Sequence, residues 1–151
     1  MFDRLELLIG KDNLEKISKI KVLIVGVGGV GGTALEALVR SGVNDITIID
    51  KDVFSESNLN RQILSTRDDI GLYKVDVGVK RAKSINPEVN IKGLKIFLGE
   101  DNINDIGIYD YIIDACDDIK AKLCLMEYAS KNNIHLISSM GTGKRLNPSN
   151  V

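Results

Sequence analysis

Short apolar runs alternate with amphipathic stretches along most of the chain. The run KVLIVG at 21–26 is rich in β-branched and aliphatic residues and ends in glycine, which predicts a strand buried on both faces of a parallel sheet. Residues 33–41 (TALEALVRS) are strong helix formers, and Gly42 follows where a helix C-cap belongs. The run DITIID at 45–50 predicts a second strand.

The alternation continues to residue 138. A helix is predicted at 74–86, with Val75, Val79 and Ala82 on one face and Asn86-Pro87 as its stop. Further strands are predicted at 89–97, 109–115 and 134–138, and a further helix at 117–132. Such a succession predicts an α/β fold: a Rossmann-like, doubly wound, mainly parallel sheet with right-handed crossovers and helices on both faces.

Two segments stand outside this alternation. Residues 5–20 predict a helical leader with Leu14 and Ile17 as candidate contacts, so we divide the chain into a leader at 1–20 and a domain at 21–151. Residues 51–72 carry few core residues and many polar ones. A long excursion beside the carboxyl edge of a sheet is often functional.

Composition narrows the class of protein. With 151 residues, 44% hydrophobic and 27% charged, the chain has the size and balance of one compact domain. A net charge of −1 gives no global attraction to nucleic acid, so any RNA contact must be local or supplied elsewhere. Without a membrane-length apolar run or a signal-peptide pattern, we expect a cytoplasmic protein with no integral membrane segment.

The glycine-rich turn, GVGGVGG at 26–32, is the first segment with a candidate chemical role. It follows a predicted strand and opens a helix, so its backbone can approach a phosphate or ribose while the helix N-terminus favours negative charge. The alternative is that its glycines only permit close packing of strand and helix. Asp50 ends the second strand, where it can accept hydrogen bonds from a ribose or be a solvated loop acid. This much fits NAD and ATP equally.

Charged residues farther along the chain separate the two nucleotides. A nucleoside triphosphate needs fixed cations, which Arg61 and Lys74 can supply, and a carboxylate for Mg²⁺, which Asp117 can supply. A hydride-transfer enzyme has no need of this set. Taken singly, Arg61 or Lys74 can be an ordinary surface cation and Asp117 a helix cap. The set as a whole favours ATP.

In this order and context, the motifs resemble the adenylation domain of the ubiquitin-activating enzyme superfamily, which includes the thiamine and molybdopterin sulfur-carrier adenylyltransferases. The resemblance covers nearly the whole chain and implies that 21–151 is an ATP-binding adenylation domain using ATP and Mg²⁺. It implies a magnesium role for Asp117 and a catalytic role for Arg4, Arg61, Lys74 and Asp117. The nucleotide-binding residues it implies are Gly26, Gly28, Gly29, Gly31, Asp50, Asp52, Asn58, Arg61, Gln62 and Lys74.

The leader carries a resemblance of its own. Phe2, Arg4, Leu8 and Gly10 resemble the leader of that family, whose arginine reaches the triphosphate of the neighbouring subunit. The resemblance therefore implies a homodimer. The alternative is an arginine that is solvated or disordered near a chain terminus.

Within the superfamily, three stretches resemble the bacterial tRNA threonylcarbamoyladenosine dehydratases, and only their N-terminal part: 36–43, 58–63 and 138–149. This implies a modified tRNA as partner, adenylated on the threonylcarbamoyl carboxylate and then cyclised with loss of water. One alternative is an activator of a small ubiquitin-like or sulfur-carrier protein ending in Gly-Gly; another is a nucleotide-binding module that is inactive alone.

Two minor sets of residues leave alternatives open. Lys80, Arg81 and Lys83 can contact RNA phosphates or form a solvated helix face. Cys116 and Cys124 do not form a CxxC motif, and one histidine gives little scope for a closed zinc site, so we expect reduced, packed thiols. Neither cysteine has an obvious low-pKa setting, which argues against a thioester or sulfur-transfer role.

Overall fold

The fold is a five-stranded parallel sheet, seen in a computed structural model that describes residues 1–140. The strands are β1 (Lys21–Val25), β2 (Asp45–Ile49), β3 (Asn90–Leu94), β4 (Tyr111–Asp114) and β5 (His135–Ser138), in the spatial order β3-β2-β1-β4-β5. The helices are α1 (Asp3–Ile9), α2 (Lys11–Lys19), α3 (Gly29–Arg40), α4 (Lys74–Ile85) and α5 (Ile119–Lys131). All neighbouring strands in this sheet pair in parallel, so the predicted α/β fold is confirmed.

The central strand β1 divides the core into two layers. Val22 and Ile24 pack on one face, in the cluster that contains residues of α3 and α4. Leu23 and Val25 pack on the other, in the cluster that contains residues of α5. Because successive side chains of a strand point to opposite faces, a continuous apolar run is what a doubly covered sheet requires.

Helix α3 begins earlier than predicted, at Gly29 rather than at residue 33, because the second half of the glycine-rich turn forms its first turn. Its end is as predicted. Gly42 has φ of 90°, and Val43 N–H donates to the Leu38 carbonyl at 3.1 Å, while Gly42 N–H donates to the Val39 carbonyl at 3.3 Å. This pair of bonds is the Schellman motif that glycine favours after a helix.

The leader and the third strand differ from prediction in extent. The leader consists of two helices rather than one, since Gly10 adopts φ of 81° and ψ of 157° between them. Ile17 packs against the core as expected. Strand β3 covers five residues instead of the predicted 89–97. Among residues 1–140, no helix is long and apolar enough to cross a membrane.

Candidate nucleotide-binding site

A cleft of about 490 Å³ lies beyond the carboxyl ends of β1, β2 and β4. The strand order changes direction between β1 and β4, and ligands of open α/β sheets bind at such a point. A cleft of this size can enclose a small-molecule ligand. The predicted site residues that line it are Gly26, Gly28, Gly29, Asp50, Asp52, Arg61, Gln62, Lys74 and Asp117.

The glycine-rich turn serves both packing and the cleft. A Cβ on Gly26, which has φ of 89°, would lie 2.7 Å from the Ala115 carbonyl oxygen, and one on Gly31 would lie 1.8 Å from the Gly26 carbonyl oxygen. Gly31 does not line the cleft, so its place in the structure is at the contact between strand and helix. Gly28 and Gly29 open the helix at the cleft wall, where their missing side chains leave the backbone exposed to a ligand.

Asp50 is half-buried and holds the turn in place. Its Oδ2 accepts a hydrogen bond from Val27 N–H at 2.8 Å, and its Oδ1 accepts one from Asp52 N–H at 2.8 Å. A carboxylate oxygen can accept more than one hydrogen bond, so a ribose hydroxyl can still be bound. The alternative of a freely solvated loop acid does not fit these contacts.

The excursion at 51–72 is anchored rather than loose. Phe54 is 1% exposed and Leu64 is 4% exposed, and both belong to the core cluster on the α3 side of the sheet. Gly71 N–H donates to the Phe54 carbonyl at 2.8 Å and closes the segment on its own start. A Cβ on Gly32 would lie 2.9 Å from Leu64 Cγ, so this glycine makes room for the anchor. Neither anchor is predicted from the sequence, where the signal is only a pair of apolar residues, Val53-Phe54 or Ile63-Leu64, in a polar segment.

Arg61 and Gln62 bring this excursion to the cleft. Arg61 is exposed, and its Nη1 donates to the Ser57 carbonyl and to Asn60 Oδ1, both at 2.9 Å. It forms no salt bridge within residues 1–140, so its charge is not balanced by a nearby acid. Gln62 is 6% exposed, and its Oε1 has no hydrogen-bond partner in the part of the chain described here. A buried amide without a partner at a cleft is suited to bind a ligand.

Asn58 does not line the cleft. Its Oδ1 accepts a hydrogen bond from Ser55 N–H at 3.0 Å, in a capping box at the start of the 3-10 helix Glu56–Asn58. This contact shapes the backbone that leads to Arg61. Its predicted nucleotide-binding role stays a prediction, while its observed contact is structural.

Lys74 is the most unusual charge at the cleft. It is 7% exposed and is the first residue of α4, where the helix dipole opposes a positive charge. Its Nζ lies 3.3 Å from Asp52 Oδ2, and the Asp52 side chain is 55% exposed. A buried cation with one solvated partner, in an unfavourable place on a helix, is suited to bind an anion.

Asp117 is available to a ligand because its neighbour caps the helix. Asp118 precedes α5 and its Oδ1 accepts a hydrogen bond from Ala121 N–H at 2.8 Å. The helix-cap alternative for Asp117 therefore applies to Asp118. Asp117 is exposed at the cleft wall and forms no side-chain hydrogen bond or salt bridge within residues 1–140.

The two cysteines fit packed thiols. Burial, a hydrogen bond to Asp114 and the charge of Asp114 raise the pKa of Cys116 from 9.0 to about 12. Burial also raises the pKa of Cys124. Both groups are thiols at neutral pH, which agrees with the expectation that neither is an activated nucleophile.

Other charges named in the sequence lie away from the cleft. Arg4 is exposed on α1 and does not line it. Arg81 donates from Nε and Nη2 to the Glu36 carboxylate at 3.0 and 3.1 Å, so one member of the basic cluster is bound within the fold. Lys80 and Lys83 are exposed on α4. Residues 141–149 of the stretch 138–149 lie outside the described residues.

The donor set fits a nucleoside triphosphate with a magnesium ion. At the cleft, the glycine-rich turn leaves its backbone accessible to a ligand. The charge of Lys74 is balanced only by the solvated Asp52, and Arg61 has no acidic partner within residues 1–140. Gln62 presents a buried amide oxygen without a hydrogen-bond partner in the described residues. Mg²⁺ commonly binds through one or two carboxylates together with substrate phosphates, a role for which the exposed Asp117 is suited. Across residues 1–140 there is no cluster of three or more acidic, histidine or cysteine side chains that could hold a metal alone.

Comparison with known proteins agrees with this geometry. The ThiF family model matches residues 2–146. The chain is 43% identical over 149 residues to a Bacillus subtilis tRNA threonylcarbamoyladenosine dehydratase, with 97% of the chain and 59% of that protein covered. The corresponding Escherichia coli enzyme is 37% identical over 147 residues, with 95% and 54% covered.

A solved structure gives the same picture. The E. coli dehydratase in complex with ATP superimposes with a TM-score of 0.92 at 37% identity, covering 98% of this chain and 62% of that one. The chain thus spans between half and three fifths of the length of the curated relatives named here.

Proposed function

The chain belongs to the ThiF family, and from this premise we propose that its cleft binds ATP for adenylation of a carboxylate. The substrate we propose is threonylcarbamoyladenosine in tRNA, which is cyclised after activation. The observation that carries the proposal is the meeting of Asp50, Arg61, Lys74 and Asp117 at one cleft. They come from the end of β2, the excursion, the start of α4 and the loop after β4.

The same residues define how ATP would be held. Asp50 would accept hydrogen bonds from the ribose hydroxyls, and the accessible backbone of Gly28 and Gly29 would face the phosphates. Lys74 and Arg61 balance the triphosphate charge, and Gln62 Oε1 accepts a hydrogen bond from a donor group of the ligand. Asp117 would hold Mg²⁺, which polarises the phosphate oxygens when bound.

The chemistry needs no protein nucleophile. A carboxylate oxygen of the substrate attacks the α-phosphorus of ATP, the bond from that phosphorus to the bridging oxygen breaks, and pyrophosphate leaves. The acyl-adenylate then loses AMP as an internal group of the threonylcarbamoyl moiety closes a ring on the activated carbonyl carbon. Lys74 and Arg61 stabilise the charge that develops on the phosphates, in a site whose cations are fixed before the reaction. The two protonated cysteines have no part in these steps.

A second subunit completes the proposal. Leu7 is 87% exposed and Leu8 is 81% exposed beside Arg4 on α1, which supports a helix that packs on a partner. We propose a homodimer in which Arg4 contributes to the neighbouring cleft. The cytoplasmic location stays a prediction, and it is compatible with the proposed tRNA substrate.

Magnesium-dependent ATP–pyrophosphate exchange tests the function. The assay compares tRNA carrying threonylcarbamoyladenosine with unmodified tRNA and with a carrier protein ending in Gly-Gly. Asp117→Ala is the test variant, and Asp101→Ala, which changes an exposed aspartate away from the cleft, is its matched control.

We expect exchange only with the modified tRNA, lost in Asp117→Ala and retained in Asp101→Ala. Exchange that depends on the carrier protein instead would assign the chain to the activators of ubiquitin-like proteins. Tight ATP binding with no exchange on either substrate would identify a nucleotide-binding module that is inactive alone.

A further inference from the structure

An ion pair is buried directly behind the loop that carries Asp117. Asp114, the last residue of β4, is completely buried, and Lys122 of α5 is 7% exposed. The Lys122 Nζ donates to Asp114 Oδ1 at 3.1 Å and to Oδ2 at 3.0 Å. Neither residue lines the cleft, so neither contacts the proposed ligand directly.

The pair joins three segments of the chain. Lys122 Nζ also donates to the Ser139 carbonyl at 2.9 Å, just beyond β5. Asp114 accepts hydrogen bonds from Ser138 Oγ at 2.6 Å and from Cys116 N–H at 3.2 Å. One carboxylate and one ammonium group therefore connect the end of β4, the first turn of α5 and the end of β5.

The segments joined in this way form one wall of the cleft. Cys116, Asp117 and Asp118 line it on one side of the pair, and Ser139 and Met140 line it on the other. A buried ion pair is a weak source of stability, because an apolar pair of the same volume is often as stable or more so. Its distinctive effect here is geometric: it fixes the Asp117 loop relative to the chain that follows β5.

We propose that Lys122 is a positioning residue for Asp117, the residue that would hold Mg²⁺ at the cleft wall. Through Asp114 and the Ser139 carbonyl it holds the loop 115–118 in the place from which Asp117 reaches the metal. This inference rests on the proposed function, since it takes Asp117 as the metal ligand. A loss of the pair should weaken the contribution of Mg²⁺ to ATP binding more than it weakens ATP binding itself.

The test variant is the double substitution Asp114→Asn/Lys122→Met. It removes both charges together, so that no unpaired charge is left buried. Ser138→Ala, which deletes only one hydrogen bond to Asp114, serves as a second and milder variant. Lys131→Met changes an exposed lysine of the same helix and is the control.

The measurement is the dissociation constant of ATP with and without Mg²⁺, followed by a fluorescent ATP analogue, together with the Tm. We expect Mg²⁺ to tighten binding about tenfold or more in the wild type and in Lys131→Met, and about threefold or less in the double variant. Metal-free affinity should change little. Ser138→Ala should show an intermediate ratio with an unchanged Tm.

A double variant that keeps the full effect of Mg²⁺ would overturn the inference. If that variant does not fold, an unchanged Mg²⁺ effect in Ser138→Ala would overturn it. A wild type that binds ATP without any effect of Mg²⁺ would overturn it too, while leaving the ATP site standing. A wild type that binds no ATP would overturn the proposed function as well.

Discussion

Lys74→Met is the substitution that separates binding from stability most clearly. The wild-type lysine is 7% exposed at the first position of α4 and lies 3.3 Å from a half-exposed carboxylate. Its charge opposes the helix dipole, and a buried charge with one solvated partner is a weak source of stability. Methionine has a similar length, keeps the apolar part of the side chain and removes the charge. The fold should therefore lose nothing, while a phosphate ligand would lose its partner.

The size of the binding loss follows from the charge. Two unit charges about 5 Å apart interact by about 3 kcal/mol at an effective dielectric constant of about 20. Part of this is lost in the wild type because Asp52 competes for the same ammonium group. A net loss of about 2–3 kcal/mol raises the dissociation constant of ATP by about 30- to 150-fold. Removing the unfavourable dipole interaction should add about 0.3–1 kcal/mol of stability.

Calorimetric titration with ATP and a thermal melt measure both effects in one preparation. The expected result is weaker binding with a Tm that is unchanged or about 1–3 °C higher. Lys83→Met, which changes an exposed lysine of the same helix, should leave the affinity unchanged. ATP binding within about threefold of the wild type would refute the phosphate role. A Tm lowered by more than about 5 °C would show that Lys74 supports the fold instead.

Three further predictions concern the frame of the site. Gly31→Ala places a Cβ 1.8 Å from the Gly26 carbonyl oxygen and should lower the free energy of unfolding, measured with denaturant, by about 3 kcal/mol or more. Gly99→Ala, with open space around the new Cβ, should lower it by less than about 1 kcal/mol. Because the pKa of Cys116 rises from 9.0 to about 12 on folding, the native state disfavours the thiolate, so this residue should lower the free energy of unfolding as the pH rises from 9 to 12. Alkylation by iodoacetamide at pH 8 should be much slower in the folded protein than in urea, and an equal rate would contradict the buried thiol. Hydrogen bonds from Arg81 and then Arg40 lower the pKa of Glu36, so its stabilising contribution is present above its unfolded value of 4.5 and declines as the pH falls below it. Glu36→Gln should cost about 1 kcal/mol at pH 7, and an acid-unfolding curve parallel to the wild type would refute this contribution.

The sequence predicts the centre of the sheet well because β1 and β2 are buried on both faces. KVLIVG at 21–26 has no other reasonable place than the centre of a covered sheet, and DITIID follows at the spacing of a crossover helix. Element ends are harder to predict. α3 starts inside the glycine motif, and the strand predicted at 89–97 ends at Leu94, since the residues that follow leave the sheet while keeping an apolar composition.

The site is predictable from the sequence where charged residues follow the predicted strands in a recognisable order. Arg61, Lys74 and Asp117 reach the cleft as the charge pattern suggested. Gly31 and Asn58 belong to the same motifs but do not line the cleft. Gly31 packs against the Gly26 carbonyl, and Asn58 hydrogen-bonds within its own loop. Sequence spacing does not show which residues of a motif reach the cleft.

Long-range contacts escape prediction altogether. The contact from Lys122 Nζ to the Ser139 carbonyl spans 17 residues, and no local pattern indicates that this helix lysine turns inward to the end of β5. The packing of the Leu64 side chain against Gly32 of α3 is also not indicated by any local pattern. Both depend on where the crossovers place elements that are distant in sequence.

The central claim is that a substrate carboxylate is adenylated in this cleft, and oxygen transfer tests it most directly. Threonylcarbamoyladenosine in tRNA is labelled with ¹⁸O in its carboxylate and incubated with the protein, ATP and Mg²⁺, and the AMP is analysed by mass spectrometry. Because a carboxylate oxygen attacks the α-phosphorus, the account predicts AMP that carries one ¹⁸O atom. Label in orthophosphate, or cyclised product formed with unlabelled AMP, would contradict the account.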